Sequence, residues 1–170
     1  MAYDTSKLLD SIKSTLVSNA TSLATSLTVS YPTITSDSIK IGNPERITRM
    51  VTQYPAIILN VQNKIQELDE IGMSSSRTGR KVDVEVGILC LTQALSDSED
   101  ADKQSRILAR NVENVLESNL EKADSTSTVS DGWHLCMVEE SLYEGGYTES
   151  EETYQSSVTL KTMFTIWGYR

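Results

Sequence analysis

The sequence predicts an α+β fold in which a mainly antiparallel sheet of four to five strands carries two helices packed on one face. Two observations favour this fold. Strand patterns occur as neighbouring pairs, one pair in the middle of the chain and one at its end, and such neighbours commonly pair antiparallel. A helical pattern precedes each pair instead of alternating with single strands. The 170 residues fit one domain and are enough to bury a continuous core.

The first element is a helix predicted over about residues 4–27. Its apolar residues recur at helical spacing and are Leu8, Ile12, Leu16, Leu23 and Leu27. Asp4 offers a side-chain cap for the first amide groups. The many Ser and Thr residues are mediocre helix formers, so we expect packing against the sheet to stabilise this helix. A short strand over 38–41 follows.

The long strand pair spans about residues 54–91. Its second strand alternates strictly, which is typical of a half-buried strand, and one face is formed by Val82, Val84, Val86, Ile88 and Cys90. Residues 62–72 suit either a strand continuation or a helical turn, and we favour an extended, twisted arm. The loop 73–81 is rich in Ser and Gly and carries three cations: Arg77, Arg80 and Lys81.

A second helix is predicted over about residues 98–122, because apolar residues at helical spacing follow an acidic entrance. Carboxylates in a first helical turn interact favourably with the helix dipole. The chain then closes with a strand pair over about residues 133–169. The segment from Trp133 to Leu142 is apolar on both faces, which suits a strand near the middle of a sheet.

The net charge of −9 argues against a general nucleic-acid binder, because such proteins need cations to displace counterions. Residues 1–80 sum to +1 (8 Lys/Arg, 7 Asp/Glu) and residues 81–170 to −10 (7 and 17). This asymmetry indicates either two faces with distinct tasks or a solvated acidic surface. No stretch approaches the ~20 apolar residues of a membrane span, and the N-terminus lacks a signal-peptide pattern. We therefore expect synthesis in the cytoplasm and no membrane association.

Residues that carry chemistry are sparse, and no catalytic, metal or cofactor site is predicted. His134 is the only histidine, and no Ser/His/Asp set can be assembled around it. Cys90 and Cys136 lie in predicted strands, where free cysteine behaves as a small buried hydrophobe. A disulfide between them would need neighbouring strands and an oxidising compartment. The segment 75–80 lacks the phosphate-loop pattern.

Two charged loops form the candidate interface. The basic loop carries Arg77, Arg80 and Lys81, and the acidic loop after the glycine turn carries Glu149, Glu151 and Glu152. In one interpretation both loops are simply solvated. In the other they pair across a subunit boundary, and complementary edges on one protomer give a head-to-tail contact of the type that closes rings.

The chain resembles the tail terminator (tail completion) proteins of long-tailed bacteriophages in the order of its features. These are the run Tyr54-Pro-Ala-Ile-Ile-Leu, the Ser/Arg/Gly loop, the alternating strand ending at Gln93, the acid-started helix and the two closing strands. The resemblance covers about residues 6–167. It implies a virion protein that forms a hexameric ring on the tail tube, stops tube polymerisation and joins the tube to the head connector. Strands 54–61 and 81–91 would help build the ring and face its channel.

The resemblance also implies the partners, which are further copies of the chain, the tail tube protein, and head connector or neck proteins. DNA would pass through without specific binding, since an acidic channel repels it. The loop 142–153 is longer than the family pattern, which leaves its partner open.

Two other functions stay open. A head-tail adaptor, neck or tube-type protein would use similar strands for a different interface. A small α+β enzyme or ligand-binding domain, from a different class, would need a pocket with convergent polar groups.

Overall fold

The computed structural model describes residues 4–27, 33–48, 51, 53–69, 79–94, 98–120, 133, 135–142 and 154–169. The elements in chain order are α1 (Thr5–Ser18), α2 (Ala20–Leu23), β1 (Ile39–Ile41), α3 (Pro44–Thr48), β2 (Ala56–Asp69), β3 (Gly79–Ala94), α4 (Ser98–Glu117), β4 (Leu135–Leu142) and β5 (Tyr154–Tyr169). The strands form one sheet in the order β1-β2-β3-β5-β4. The predicted α+β fold is confirmed.

The sheet is mainly antiparallel, as predicted. Only β1 runs parallel to its neighbour, and it pairs with β2 from Ile57 to Leu59. The strands β2, β3, β5 and β4 alternate in direction across the sheet. The pair β3–β5 is the longest, because it keeps its register from the Arg80–Tyr169 end to the Ala94–Tyr154 end, with one irregularity near Arg80.

One face of the sheet, which we call the inner face, packs against α1 and α4. The predicted alternating positions of β3 all lie there and are fully buried, and they are Val82, Val84, Val86, Ile88 and Cys90. They join one cluster with apolar residues of both helices and of β5. The prediction that two helices pack on one face is therefore correct, because the amphipathic stripes of α1 and α4 bury against the same set of strand residues.

The opposite face, which we call the outer face, is covered by the described residues at one end. There Ala56, Ile58 and Leu91 form a small second cluster, against which Ile47 of α3 and Tyr54 pack. This short helix was not predicted. Pro44 begins it and the Asn43 side chain accepts the amide hydrogen of Glu45 at 2.9 Å, which is a normal N-terminal cap.

The N-terminal helix predicted over 4–27 is two helices, because the chain leaves helical geometry at Asn19 (φ −109°, ψ 25°). The Asn19 side chain donates to the carbonyl of Thr15 at 2.8 Å, and such side-chain bonds compete with helix continuation. After α2, the Asn111 amide of α4 donates to the carbonyls of Leu23 and Thr25 at 2.9 and 2.7 Å. These bonds fix the end of this segment on α4.

The extended arm predicted over 62–72 is confirmed as far as Asp69 of β2, and residues 70–72 lie outside the described ranges. A β-bulge lies between Val61 and Asn63, so that Gln62 is the extra residue. The bulge shifts the alternation of faces by one position, so that odd-numbered residues point inward before it and outward after it. A side chain at Gly87 would overlap the Gln62 amide, which lies over that glycine. The missing Cβ therefore makes room for the bulged residue.

The prediction that residues 133–142 form a strand near the middle of the sheet was wrong. The strand β4 begins at Leu135 and lies at the edge of the sheet, with Leu135 and Met137 exposed by 41% and 53%. Trp133 precedes the strand and is buried; its ring meets Phe164 edge-to-face with centroids 5.2 Å apart. Apolar sequence on both faces therefore did not indicate burial on both faces.

Two boundaries also differ from their predictions. The helix predicted over 98–122 ends at Glu117, where the Asn119 side chain donates to the carbonyl of Val115 at 2.7 Å, and Leu120 beyond it is half exposed. The loop predicted over 73–81 is shorter at its end, because Gly79–Lys81 already pair with β2.

Candidate assembly interface

Among the described residues, the edge of β2 has no neighbouring strand over most of its length. The strand β1 covers it only from Ile57 to Leu59, and just beyond β1 the amide of Gly42 donates to the carbonyl of Leu59 at 3.0 Å. From Asn60 to Asp69, no other strand of the described residues pairs with β2 on that side. An edge of this kind presents backbone N–H and C=O groups to any strand that can approach.

The edge of β4 at the other side of the sheet is partly occupied. The amide of Cys136 points away from β5 and donates to the carbonyl of Leu120 at 3.0 Å. A second bulge lies between Val138 and Glu140, and Glu139 is exposed. No strand of the described residues pairs with this edge from Met137 to Leu142, and its bulge and charge restrict which strands it can accept.

The outer face between these two edges has no helix over it in the described part of the chain. Two transverse rows cross it: Ile65, Asp83, Thr165 and Leu135 form one, and Asn63, Glu85, Met163 and Met137 form the next. The apolar residues that end these rows are exposed, namely Ile65 by 46%, Leu135 by 41% and Met137 by 53%. Single exposed apolar residues are normal, and those of this face lie at the two margins of the sheet, with polar side chains between them.

A polar cluster lies in the middle of this face. The hydroxyl of Thr165 donates to Asp83 Oδ1 at 2.6 Å, and the Lys81 ammonium lies 2.8 Å from Asp83 Oδ2. The Lys81 side chain is 31% exposed, so solvent screens this ion pair and its contribution to stability is small. The cluster fixes the Asp83 carboxylate on the outer face, between the two exposed apolar ends of its row.

The structure describes only some of the residues in the predicted interface. Lys81 lies in β3, where it binds Asp83 of its own strand. Arg80 also lies in β3, opposite Leu68 and Tyr169. The other four residues lie outside the described ranges, so contact between the two charged loops stays a prediction: Arg77, Glu149, Glu151 and Glu152.

Sequence reasoning missed the outer-face residues Ile65 and Met137. In an uninterrupted strand, Ile65 would share the inner face with Ile57 and Leu59, because all three occupy odd positions. The bulge at Gln62 moves Ile65 to the outer face. The polar pair Gln62-Asn63 inside an apolar run was the available signal.

A groove of about 720 Å³ lies beside α4 in the described part of the chain. Its lining comes mainly from this one helix and includes Lys103, Arg110 and Glu113, with Leu160 of β5. Arg106, also in the lining, binds Asp102 with 2.9 Å between Nε and Oδ2. Charges of both signs along one helix face do not converge on a point, as the polar groups of a catalytic pocket do.

The cysteines are buried and free, as predicted for small hydrophobes. Burial raises the pKa of Cys90 and of Cys136 to about 12, so both thiols stay protonated at neutral pH and are poor nucleophiles. Within the described ranges, no group of three or more His, Cys, Asp or Glu side chains could hold a metal ion. His134 lies outside those ranges.

Comparison with known proteins adds no relative: no family model matches the chain, and no curated protein matches it. No helix in the described part combines the length and the apolar character needed to cross a membrane.

Proposed function

We propose that this chain is a structural virion protein, the ring-forming tail terminator of a long-tailed bacteriophage. The observation that supports it best is the edge of β2 from Asn60 to Asp69, which no strand of the described residues covers, next to an outer face with one row that ends in exposed apolar residues on both sides. A subunit that works alone gains nothing from such an edge, which favours association and aggregation. A subunit of an assembly completes its sheet with its neighbours.

The order of sequence features supplies the second line of support, since it resembles tail terminator proteins from about residue 6 to residue 167. By that resemblance the assembly is a hexameric ring that caps the finished tail tube and contacts the head connector. A single heterologous contact, repeated with rotation, closes such a ring.

The charge of the chain fits a channel through which DNA moves. The net charge is −9, and the second half of the sequence carries most of the acid. A ring of such subunits repels the phosphate backbone, so DNA passes without binding. The proposed partners are therefore other copies of the chain, the tail tube protein and the head connector or neck proteins.

A head-tail adaptor, neck or tube-type protein is the structural alternative, because each would use the same open edge. Electron microscopy of particles that carry a tagged copy of the chain separates these proteins by position along the tail axis. A terminator gives one ring of density at the head-proximal end of the tube. Density all along the tube, or only inside the connector, would contradict the terminator assignment.

The groove beside α4 is the observation that bears on a ligand-binding or enzymatic alternative. Light scattering over a wide concentration range, with and without purified tail tubes, tests this class against the ring. The ring proposal predicts either self-assembly or assembly on tubes. A chain that stays monomeric in both conditions and is absent from virions would refute it.

A further inference from the structure

Resting on the ring proposed above, we infer that the open edge of β2 accepts β4 of a neighbouring copy, so that the sheets of successive subunits join head to tail. The segments concerned are Asn60–Ile65 of one copy and Met137–Leu142 of the next. This inference identifies which surface of the subunit makes the ring contact.

Strand direction supports the join. Because β2, β3, β5 and β4 alternate in direction, the two outer strands of this set run antiparallel to each other. A second copy that continues the sheet, with its strands oriented as in the first copy, therefore presents its β2 antiparallel to β4. Antiparallel pairing needs no crossover and gives the stronger ladder. The helices of both copies stay on the same side of the joined sheet.

The two bulges make the faces match. When Met137 lies beside Ile65 of the neighbour, Val138 lies beside Lys64, and both face inward. From this pair onward, β4 runs from Val138 towards Leu142 while β2 of the neighbour runs from Lys64 back towards Asn60. The bulge between Val138 and Glu140 shifts the alternation in β4, and the bulge between Asn63 and Val61 shifts it in β2. Each strand contains one shift within the matched segments, so the remaining residues again share faces through to Leu142 and Asn60. A bulge in only one strand would turn half of the contact over.

The side chains in this register are compatible. Ile65 and Met137, both half exposed in the single subunit, become neighbours on the outer face. Glu139 of β4, which is exposed, meets a segment that contains no acidic residue. The matched segment of β2 begins directly after Leu59, the last residue that pairs with β1. The matched segment of β4 begins directly after Cys136, whose outward amide is already bonded to the carbonyl of Leu120.

Cysteine cross-linking tests this contact. The variants are Ile65→Cys, Met137→Cys and the double variant, each treated with a short bismaleimide that spans direct or diagonal neighbours, roughly 5–8 Å apart. The reaction is run on the purified assembly, or on assembled particles when the ring forms only there. Native Cys90 and Cys136 are buried, so the unmodified chain serves as the background control.

The head-to-tail contact predicts a ladder of linked species in the double variant that ends at the ring size. It predicts single linked dimers when the two single variants are mixed, and no links when either is alone. The matched control moves the first cysteine from position 65 to Ile41, which is 37% exposed on β1. No ladder is expected for Ile41→Cys combined with Met137→Cys.

Three results would overturn the inference. Links in Ile65→Cys alone indicate a two-fold β2–β2 contact, and links in Met137→Cys alone indicate a β4–β4 contact. Rings that are visible by electron microscopy but give no ladder place the contact elsewhere and leave the proposed function standing. If the chain forms no ring at all, in solution or on particles, both proposals fail.

Discussion

Asp4 shows how one side chain defines the start of a helix. It precedes α1 and accepts hydrogen bonds from the Ser6 amide at 3.0 Å and from the Ser6 hydroxyl at 2.6 Å. These bonds hold the pKa of the Asp4 carboxyl below its ordinary value, with the side-chain bond as the larger cause. They stabilise the charged form, and they need the folded helix.

A pH-dependent effect of Asp4→Ala follows. A folded-state pKa that is lowered stabilises the protein above the unfolded pKa of about 4, and this contribution is lost as the pH falls through the folded pKa. We expect Asp4→Ala to lower the melting temperature slightly at neutral pH and to have less effect well below pH 4. Thermal unfolding followed by circular dichroism measures both. Asp4→Asn, which keeps an acceptor, should fall between; an equal loss at both pH values would contradict the role of charge.

Trp133 is a large buried residue whose local contacts stabilise the chain before β4. It is fully buried, meets Phe164 edge-to-face, and its indole N–H donates to the carbonyl of Asn119 at 3.0 Å. We expect Trp133→Ala to lower the free energy of unfolding by about 3–5 kcal/mol. Trp133→Phe should lose about 1–2 kcal/mol, mainly the hydrogen bond and part of the packing.

Urea unfolding followed by far-ultraviolet circular dichroism measures these losses, and Leu135→Ala is the control. Leu135 is close in sequence but 41% exposed, so its loss should stay within about 1 kcal/mol. Equal losses for Leu135→Ala and Trp133→Ala would mean that Trp133 does not anchor the chain before β4.

At the scale of the element, β2 depends on one extra residue. Deleting Gln62 removes the bulge but leaves the following residues on their present faces, because Asn63 then takes the outer position next to the inward Val61 and Ile65 stays outward. The single subunit keeps its core, so we expect the free energy of unfolding to change by less than about 1 kcal/mol. The proposed contact with β4 loses one of its two matched shifts, so half of that contact turns over and we expect assembly to weaken.

The control is Gln62→Ala, which keeps the extra residue and removes only the exposed side chain. It should change the free energy of unfolding by less than about 0.5 kcal/mol. Urea unfolding compares the stability of the two variants, and light scattering compares their assembly. A deletion variant that assembles as well as Gln62→Ala would show that the contact does not depend on the bulge.

The elements differ in how well sequence predicted them, and the differences have physical causes. The strands β3 and β5 were predicted well, because their alternation of apolar residues is set by one continuous helix-covered face. The bulge in β2 was missed because its cause is tertiary: Gly87, on another strand, makes room for Gln62. The predicted position of β4 was wrong because apolar residues also occur in strands at the edge of a sheet, so composition alone does not distinguish an edge strand from a central one.

At the scale of the whole molecule, charge and assembly can be separated experimentally. Arg77→Glu with Arg80→Glu reverses part of the basic loop, and Lys81 is left unchanged because it binds Asp83. We expect the double variant to assemble poorly, and the loss to shrink at high salt, where exposed charges are screened. The free energy of unfolding should change by less than about 1 kcal/mol.

Ring or particle assembly, measured by electron microscopy and light scattering, tests this prediction, with urea unfolding as the check on the fold. Arg46→Glu, a reversal in the short helix α3, is the control for charge alone. Assembly of the double variant at the normal level would refute the role of the basic loop.

The sequence predicted the candidate site only as charged loops, because charge follows directly from composition. An open strand edge cannot be inferred from composition. Whether β2 has a neighbour from Asn60 to Asp69 depends on where β1 ends, and the sequence around Gly42 and Asn43 shows a turn without showing which strand it leaves uncovered. Ile65 and Met137 lie far apart along the chain, so only the sheet order places them in neighbouring rows of one face.

The shortest strand has a consequence for the geometry of the assembly. If a neighbour's β4 docks on β2, the end of β1 at Ile41 acts as a mechanical stop, because an incoming strand cannot slide past Leu59. That stop fixes the stagger between adjacent subunits. Stagger sets the tilt of the strands around any closed sheet, and the resulting geometry of the contact decides between a closed ring and an open helical filament. Lengthening β1 by two residues would therefore change pitch before it changed affinity.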